Sequence, residues 1–329
     1  MPIRDLLIVG AGPSGLATAI AAKQHGLDYA IVEKGVLVNS IFNFPPLMVF
    51  FTTPELLEIG GLPLVTPYDK PTRLEGLRYY RRVVDTFGIQ ISFHEEVRAI
   101  EREDDGTFVV TSIGRGGTRV RHARAVVLAI GYYDRPNYLG IPGEDLPHVS
   151  HYYTDAHPYY RQRVVVVGGK NSAAEASLEL FRAGAHVTLV HRRATLGDSI
   201  KYWVRPDIEN RIKEGSIAAR FEARVVEIRP TEVIIERHGA QESIPAEGVF
   251  LLTGYHPDAE LMRRAGIECH PESLVPTLDP ETFESNVPNL FIAGGAVAGR
   301  NTGNIFIENG RFHGERIVKV IADRRLQEA

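Results

Sequence analysis

The sequence predicts an α/β chain built from two Rossmann-like units, each of three layers (ββα), and three observations carry the prediction. A short apolar strand runs into glycines at positions 10, 12 and 15 and on into a helix and a second strand, a βαβ unit of about 30 residues. The same succession returns across residues 164–190, a diverged internal repeat. A third glycine turn, Gly294-Gly295, again follows an apolar strand.

Taken in order, residues 6–9 read as the first strand, 16–24 as the helix that Gly26 ends, and 29–32 as the second strand, closing at Glu33. A loop-rich stretch over 39–71 precedes a helix near 74–87. Alternating residues over 89–112 predict antiparallel strands, with turn signals at Asp104-Asp105-Gly106 and at 114–117. The repeat places a strand at 164–167, a helix at 173–182 capped by Gly184, and a strand at 186–190. Residues 225–228 and 233–236 predict antiparallel strands, 290–293 a strand, and 303–324 a long helix.

Composition narrows the class. The chain has 329 residues, 44% of them hydrophobic, enough for about two domains with real cores. The charge of 37 − 41 = −4 gives no polyanion-binding surface, so no nucleic-acid partner is expected. No apolar run approaches about 18 residues, so no membrane span is expected. The apolar N-terminal run carries Asp5 and enters a glycine turn directly, which reads as a strand and not a leader. Cys269 is the only cysteine. An internal disulfide and a Cys-x-x-Cys pair are excluded, and a cytoplasmic location is the expectation.

Gly10-Ala11-Gly12-Pro13-Ser14-Gly15 fits G-x-G-x-x-G between a strand and a helix, with acidic Glu33 about 20 residues on. Gly10 permits the tight turn, Gly12 lets backbone approach a pyrophosphate, and Gly15 lets the helix pack against the strand. The helix N-terminus offers free N–H groups, and Glu33 accepts from ribose hydroxyls. The second turn, Gly168-Gly169-Lys170-Asn171-Ser172-Ala173, puts Lys170 at the middle glycine and Ala173 at the third. The Lys170 ammonium is expected to contact a phosphate, or the phosphates to sit slightly displaced. His191-Arg192-Arg193 ends the second strand of this unit, where an acidic residue would select NAD. Arginines there suit a 2′-phosphate, which predicts NADPH. After Gly294-Gly295, a helix starting within 302–306 is expected to aim its N-terminus at a flavin, with Ile305 and Phe306 in contact. The expected division is an FAD-binding domain over 1–122, an NADPH-binding domain over 123–250, and a return to the FAD domain over 251–329.

The two-unit layout, the turn Ala129-Ile130-Gly131 and the terminal glycine turn resemble the low-molecular-weight thioredoxin reductase superfamily. Longer stretches are narrower: Asn39-Ser40-Ile41-Phe42-Asn43-Phe44-Pro45, Phe50-Phe51-Thr52-Thr53-Pro54, Lys70-Pro71-Thr72-Arg73, the lysine-bearing second turn, and residues 200–211 and 305–314. These resemble the YpdA-type bacillithiol disulfide reductase family over nearly the whole chain. The resemblance implies a homodimeric, NADPH-dependent FAD enzyme that reduces the disulfide of a low-molecular-weight thiol. It implies FAD contacts from Gly10 to Gly15, Glu33, Lys34, Asn39, Ser40, Phe51, Thr52, Val97, Ala129 and Gly131, and NADPH contacts from Gly168 to Ser172 and Arg192.

Two departures matter. The family carries a cysteine where this chain has Ser14, and the thioredoxin reductase dithiol is missing, since residues 150–160 hold no cysteine. A serine donates a hydrogen bond but relays no electrons. Cys269, beside His270, lacks a resolving partner and reads as structural. His148, His151 and His157 fit no metal-ligand spacing, so no metal is expected. The expected reaction moves a hydride from NADPH to flavin and then reduces an acceptor, with no side-chain acid or base required for the first half. The acceptor is a small disulfide or a redox protein. The alternatives are a ferredoxin/flavodoxin–NADP reductase of thioredoxin reductase-like form and a flavin monooxygenase.

Overall fold

The computed structural model describes residues 2–328. The chain forms two units: one runs to Arg135 and resumes at Tyr255, and the other is Pro136–Gly254.

The first unit opens with β1 (Ile3–Val9), α1 (Pro13–Gln24) and β2 (Tyr29–Val32), then α2 (Asn39–Phe42), α3 (Arg73–Phe87), β3 (Ile91–Ser92), β4 (Glu95–Arg102), β5 (Phe108–Gly114) and β6 (Gly117–Leu128). Thr72 starts α3 with a capping box: its hydroxyl accepts from the Glu75 amide while the Glu75 carboxylate returns to the Thr72 amide. In the second unit come β7 (Val149–Ser150), β8 (Arg163–Val167), α4 (Asn171–Arg182), β9 (His186–His191), α5 (Arg205–Lys213), β10 (Ala218–Phe221), β11 (Ala223–Arg229), β12 (Glu232–Arg237), β13 (Ala240–Pro245) and β14 (Gly248–Leu251). The chain returns to the first unit for α6 (Ala259–Arg264), β15 (Leu290–Ile292), α7 (Ile307–Gly310) and α8 (His313–Glu328).

In the first unit the strand order is β3-β2-β1-β6-β5-β4, with β15 on β6. The parallel register pairs Val9 with Val32, Val9 with Leu128, and Ile292 with Leu128. Four strands therefore end level, and Gly10, Glu33, Ala129 and Ala293 emerge side by side along one sheet edge. Leu6, Leu7 and Ile8 are fully buried because both faces are covered. One face packs on Leu16, Ala19 and Ile20 of α1 and Ile317 and Val318 of α8. The other packs on Val97, Phe108 and Val110 and on Leu261 and Met262 of α6.

The second unit repeats this plan with a parallel sheet ordered β10-β9-β8-β14-β7 and an antiparallel sheet β11-β12-β13. Val167 pairs with Val190 and with Leu251, so these strands also end level. Val164 and Val166 face α4, with Ala173, Ala174 and Leu178, while Val165 and Val167 face Val225, Ile235 and Ile244.

Three local expectations are corrected. The strand at Ile91–Ser92 pairs parallel with β2, and antiparallel pairing begins at Glu95. The β15 strand stops at Ile292. The long helix expected over 303–324 is two helices, α7 and α8. The Asn309 side chain accepts from the Phe306 amide at 2.8 Å and donates to the Asn304 carbonyl at 3.0 Å. These bonds start α7 at Phe306, its N-cap, and Arg311-Phe312 separate α7 from α8.

Candidate functional site

A cavity of about 200 Å³ opens along the level strand ends of the first unit. Gly10, Gly12, Pro13, Ser14, Glu33, Lys34, Asn39, Ser40, Val97, Ala129, Gly131, Gly294, Gly295, Ile305 and Phe306 all line it. Residues far apart in sequence meet there because β1, β2, β6 and β15 share one register. Gly15 sits behind the turn. Phe51 and Thr52 lie outside that lining: Phe51 is exposed beneath the Lys70 ammonium, which also bonds the Phe51 carbonyl at 2.5 Å, and Thr52 is buried.

The three fingerprint glycines do different work. A Cβ on Gly10, which adopts φ +106°, would fall 2.4 Å from the Ala129 carbonyl oxygen, and one on Gly15 would fall 2.0 Å from the Gly10 oxygen. Both are demanded by close backbone packing. A Cβ on Gly12 would meet nothing within 4 Å. Gly12 is the N-cap of α1, in extended conformation, and no side chain caps the helix. The first-turn amides and the partial positive charge of the helix end are therefore left for an anion.

Glu33 is 5% exposed. One carboxylate oxygen accepts from the Ala11 amide at 2.8 Å and the other from the Gly35 amide at 2.7 Å. Burial pushes its carboxyl above the ordinary range, against the pull of these two amides. Glu33 thus braces the glycine turn and keeps its remaining lone pairs toward the cavity. Lys34 pairs with Asp134 at 2.8 Å.

Ser14 sits where two glycines give it room. A Cβ on Gly294 would lie 2.4 Å from the Ser14 Oγ, and one on Gly310 would lie 3.3 Å from it. The Gly294 amide donates to His313 Nδ1 at 3.2 Å, and the His313 ring stacks on Phe283 at 3.9 Å. Burial, then the Arg316 charge, pushes His313 down to about 4, so its ring stays a neutral acceptor.

In the second unit the turn is Gly168 to Ala173. A Cβ on Gly168 would lie 2.6 Å from the Leu252 oxygen and 2.8 Å from the Ala173 Cβ. Ala173 thus replaces the third glycine because Gly168 leaves it space. A Cβ on Gly169 would fall 2.2 Å from the His191 ring, so His191 packs against the turn itself. Burial, then the Arg192 and Arg193 charges, lowers the pKa of His191. Asn171 donates from Nδ2 to the Ser199 carbonyl and accepts at Oδ1 from the Lys201 amide, both at 2.8 Å. Its side chain thereby ties down the loop over 197–201. Lys170 and Ser172 are exposed at the start of α4, whose N-terminus no side chain caps. Arg192 and Arg193 are exposed at the end of β9, and neither has an ion-pair partner among the described residues.

Sequence reasoning missed Tyr132, Tyr133, Asp134, Phe44, Glu95, Glu96, His256 and Asp258, which also line the first cavity. Tyr132 to Asp134 directly follow the Ala129-Ile130-Gly131 turn, and the preference of ligands for the carboxyl ends of parallel strands would have found them. His256 and Asp258 carry no such signal. No group of three or more His, Cys, Asp or Glu side chains that could hold a metal is found among the described residues. No helix among them is long and apolar enough to cross a membrane.

The sequence model of the pyridine nucleotide-disulphide oxidoreductase family matches residues 7–294. The chain is 44% identical over 320 residues to the bacilliredoxin reductase Bdr of Bacillus subtilis (strain 168), covering 97% of each. The structure of bacillithiol disulfide reductase Bdr (YpdA) from Bacillus cereus superposes with a TM-score of 0.96 at 40% identity, covering 98% of this chain and 100% of that one. A thioredoxin reductase from T. acidophilum shares the fold, with a TM-score of 0.75 at 21% identity over 99% of this chain and 100% of that one. The chain therefore belongs to the pyridine nucleotide-disulphide oxidoreductase family, with a thioredoxin reductase-like fold, and is an FAD- and NADPH-dependent oxidoreductase.

Proposed function

We propose that this enzyme reduces the disulfide of a low-molecular-weight thiol, bacillithiol disulfide in the first instance, at the expense of NADPH, as a cytoplasmic homodimer. The likeness that carries the reading is the TM-score of 0.96 at 40% identity, along 98% of the chain, to a protein named for bacillithiol disulfide reduction. The balanced reaction is NADPH + H⁺ + RSSR → NADP⁺ + 2 RSH. FAD, when bound, supplies the two-electron carrier between nicotinamide and acceptor. Gly12, the first turn of α1 and Glu33 hold its pyrophosphate and ribose, and Lys34, Asn39, Ser40, Val97, Ala129, Gly131, Gly294, Gly295, Ile305 and Phe306 shape its bed. The Gly168 to Ala173 turn holds the NADPH pyrophosphate, and Arg192 and Arg193 hold its 2′-phosphate.

The residues present also define what the protein does not contribute. Ser14 replaces a thiol at the cavity. Cys269 packs against the apolar cluster around Leu261 and Ile267, and burial raises its pKa, which suppresses the reactive thiolate. The acceptor is thus reduced without a protein thiol as intermediary. The test is NADPH oxidation by the FAD-loaded protein with bacillithiol disulfide, ferredoxin or oxygen as sole acceptor. The expected result is two thiols formed per NADPH consumed, unchanged by Cys269→Ser. Turnover with ferredoxin but not with the disulfide would overturn the reading in favour of a ferredoxin–NADP reductase.

A further inference from the structure

The level strand ends fix the direction in which a dinucleotide lies across the first cavity. The loops emerge in the order β2, β1, β6, β15, which presents Glu33, then the Gly10–Ser14 turn, then Gly131-Tyr132, then Gly294-Gly295. Ribose belongs at the acidic residue after the second strand, and pyrophosphate at the glycine turn. The far end, at Tyr132 and Gly295, is left for the flavin ring.

Tyr132 stands there with an unspent donor. A Cβ on Gly295 would fall 2.7 Å from both Cδ1 and Cε1 of Tyr132. Gly295 does not adopt positive φ, so the ring, and not the backbone, is what requires glycine at that position. The ring is thereby seated on the terminal glycine turn. Its hydroxyl has no hydrogen-bond partner among the described residues. Tyr132 is half-buried and lines the cavity, so a phenolic donor with no protein partner there is available to a bound ligand.

We propose that Tyr132 donates its phenolic hydrogen to an acceptor atom of the flavin ring of FAD, and so both positions the cofactor and favours its reduced form. Burial and the Glu308 carboxylate hold the phenol neutral, so it remains a donor at physiological pH. A donor aimed at an atom that gains negative charge binds the reduced form more tightly than the oxidised one. The inference rests on the assignment of FAD to this cavity and is independent of the acceptor.

The test is Tyr132→Phe, which keeps the ring over Gly295 and removes only the hydroxyl. Three readouts on the holoprotein are used: the flavin midpoint potential, the FAD dissociation constant from flavin fluorescence released on dilution, and the flavin absorption spectrum. The midpoint potential is expected to move negative and the dissociation constant to rise by about two- to tenfold, the range of one net hydrogen bond. Tyr132→Leu, which removes ring and hydroxyl together, is measured alongside. If Tyr132→Phe matches the unsubstituted protein in potential and affinity while Tyr132→Leu loses FAD, the ring acts by packing alone and the proposal is overturned. If neither variant changes FAD binding, it is overturned as well. An intact Tyr132 effect without turnover on bacillithiol disulfide would leave this inference standing and remove only the acceptor assignment.

Discussion

Gly12→Ala separates binding from folding at the first turn. The new Cβ meets no protein atom within 4 Å, and the N-cap conformation, φ −76° and ψ 177°, suits any residue. Restricting the unfolded chain stabilises by about 0.4–1 kcal/mol, and losing a glycine N-cap costs about as much, so apoprotein stability is expected to change by less than about 1 kcal/mol. On the proposed assignment, the methyl group instead enters the space in which the backbone would meet the FAD pyrophosphate. A methyl in a well-packed contact costs about 1–3 kcal/mol, a loss of about 5- to 150-fold in FAD affinity. Gly15→Ala is the contrast: its Cβ would fall 2.0 Å from the Gly10 carbonyl oxygen, so the fold itself must give. The assay is urea denaturation of both apoproteins followed by titration with FAD. Gly12→Ala binding FAD within about twofold of the unsubstituted protein, or losing as much stability as Gly15→Ala, would refute the reasoning.

Three further outcomes follow from the same geometry. Replacing Arg192 and Arg193 together by Ala is expected to raise KM for NADPH by about tenfold or more, the worth of one charged hydrogen bond, while KM for NADH barely moves; equal effects on both cofactors would remove the 2′-phosphate assignment. Ser14→Cys is expected to fold and retain FAD, because Gly294 and Gly310 leave room beside Oγ, and to make turnover sensitive to iodoacetamide, whereas the serine protein is resistant. Inactivation of the serine protein at the same rate would show that another nucleophile is essential. His313, with its folded pKa pushed down from 6.5 to about 4, binds its proton more readily unfolded, so its contribution is complete above about pH 6.5 and is lost as pH falls toward 4. Between about pH 7 and pH 5 the unsubstituted protein should lose about 2 kcal/mol more than His313→Gln, measured by urea denaturation; parallel losses would show that the histidine is not the titrating group.

By itself, the sequence determined the repeated strand–turn–helix units, the glycine turns and the basic end of the strand at 186–191. Each of these is a local device: hydrophobic periodicity, a glycine where another backbone crosses, a charge where a phosphate belongs. It also determined that no cysteine pair is present. The tertiary structure alone decided which side chains converge. The register pairing Val9, Val32, Leu128 and Ile292 sets Gly10, Glu33, Ala129 and Ala293 side by side, and that alignment brings Tyr132 to the cavity, while His256 and Asp258 are held there by Arg135, whose carbonyl accepts from the His256 amide and whose guanidinium pairs with Asp258. Local patterning likewise could not show that Glu33 spends two bonds bracing the turn, that Asn171 ties down a loop, or that the terminal helix breaks at Arg311-Phe312. Those outcomes depend on contacts between residues distant in sequence, or on a side chain outcompeting the helix for backbone hydrogen bonds, and periodicity encodes neither.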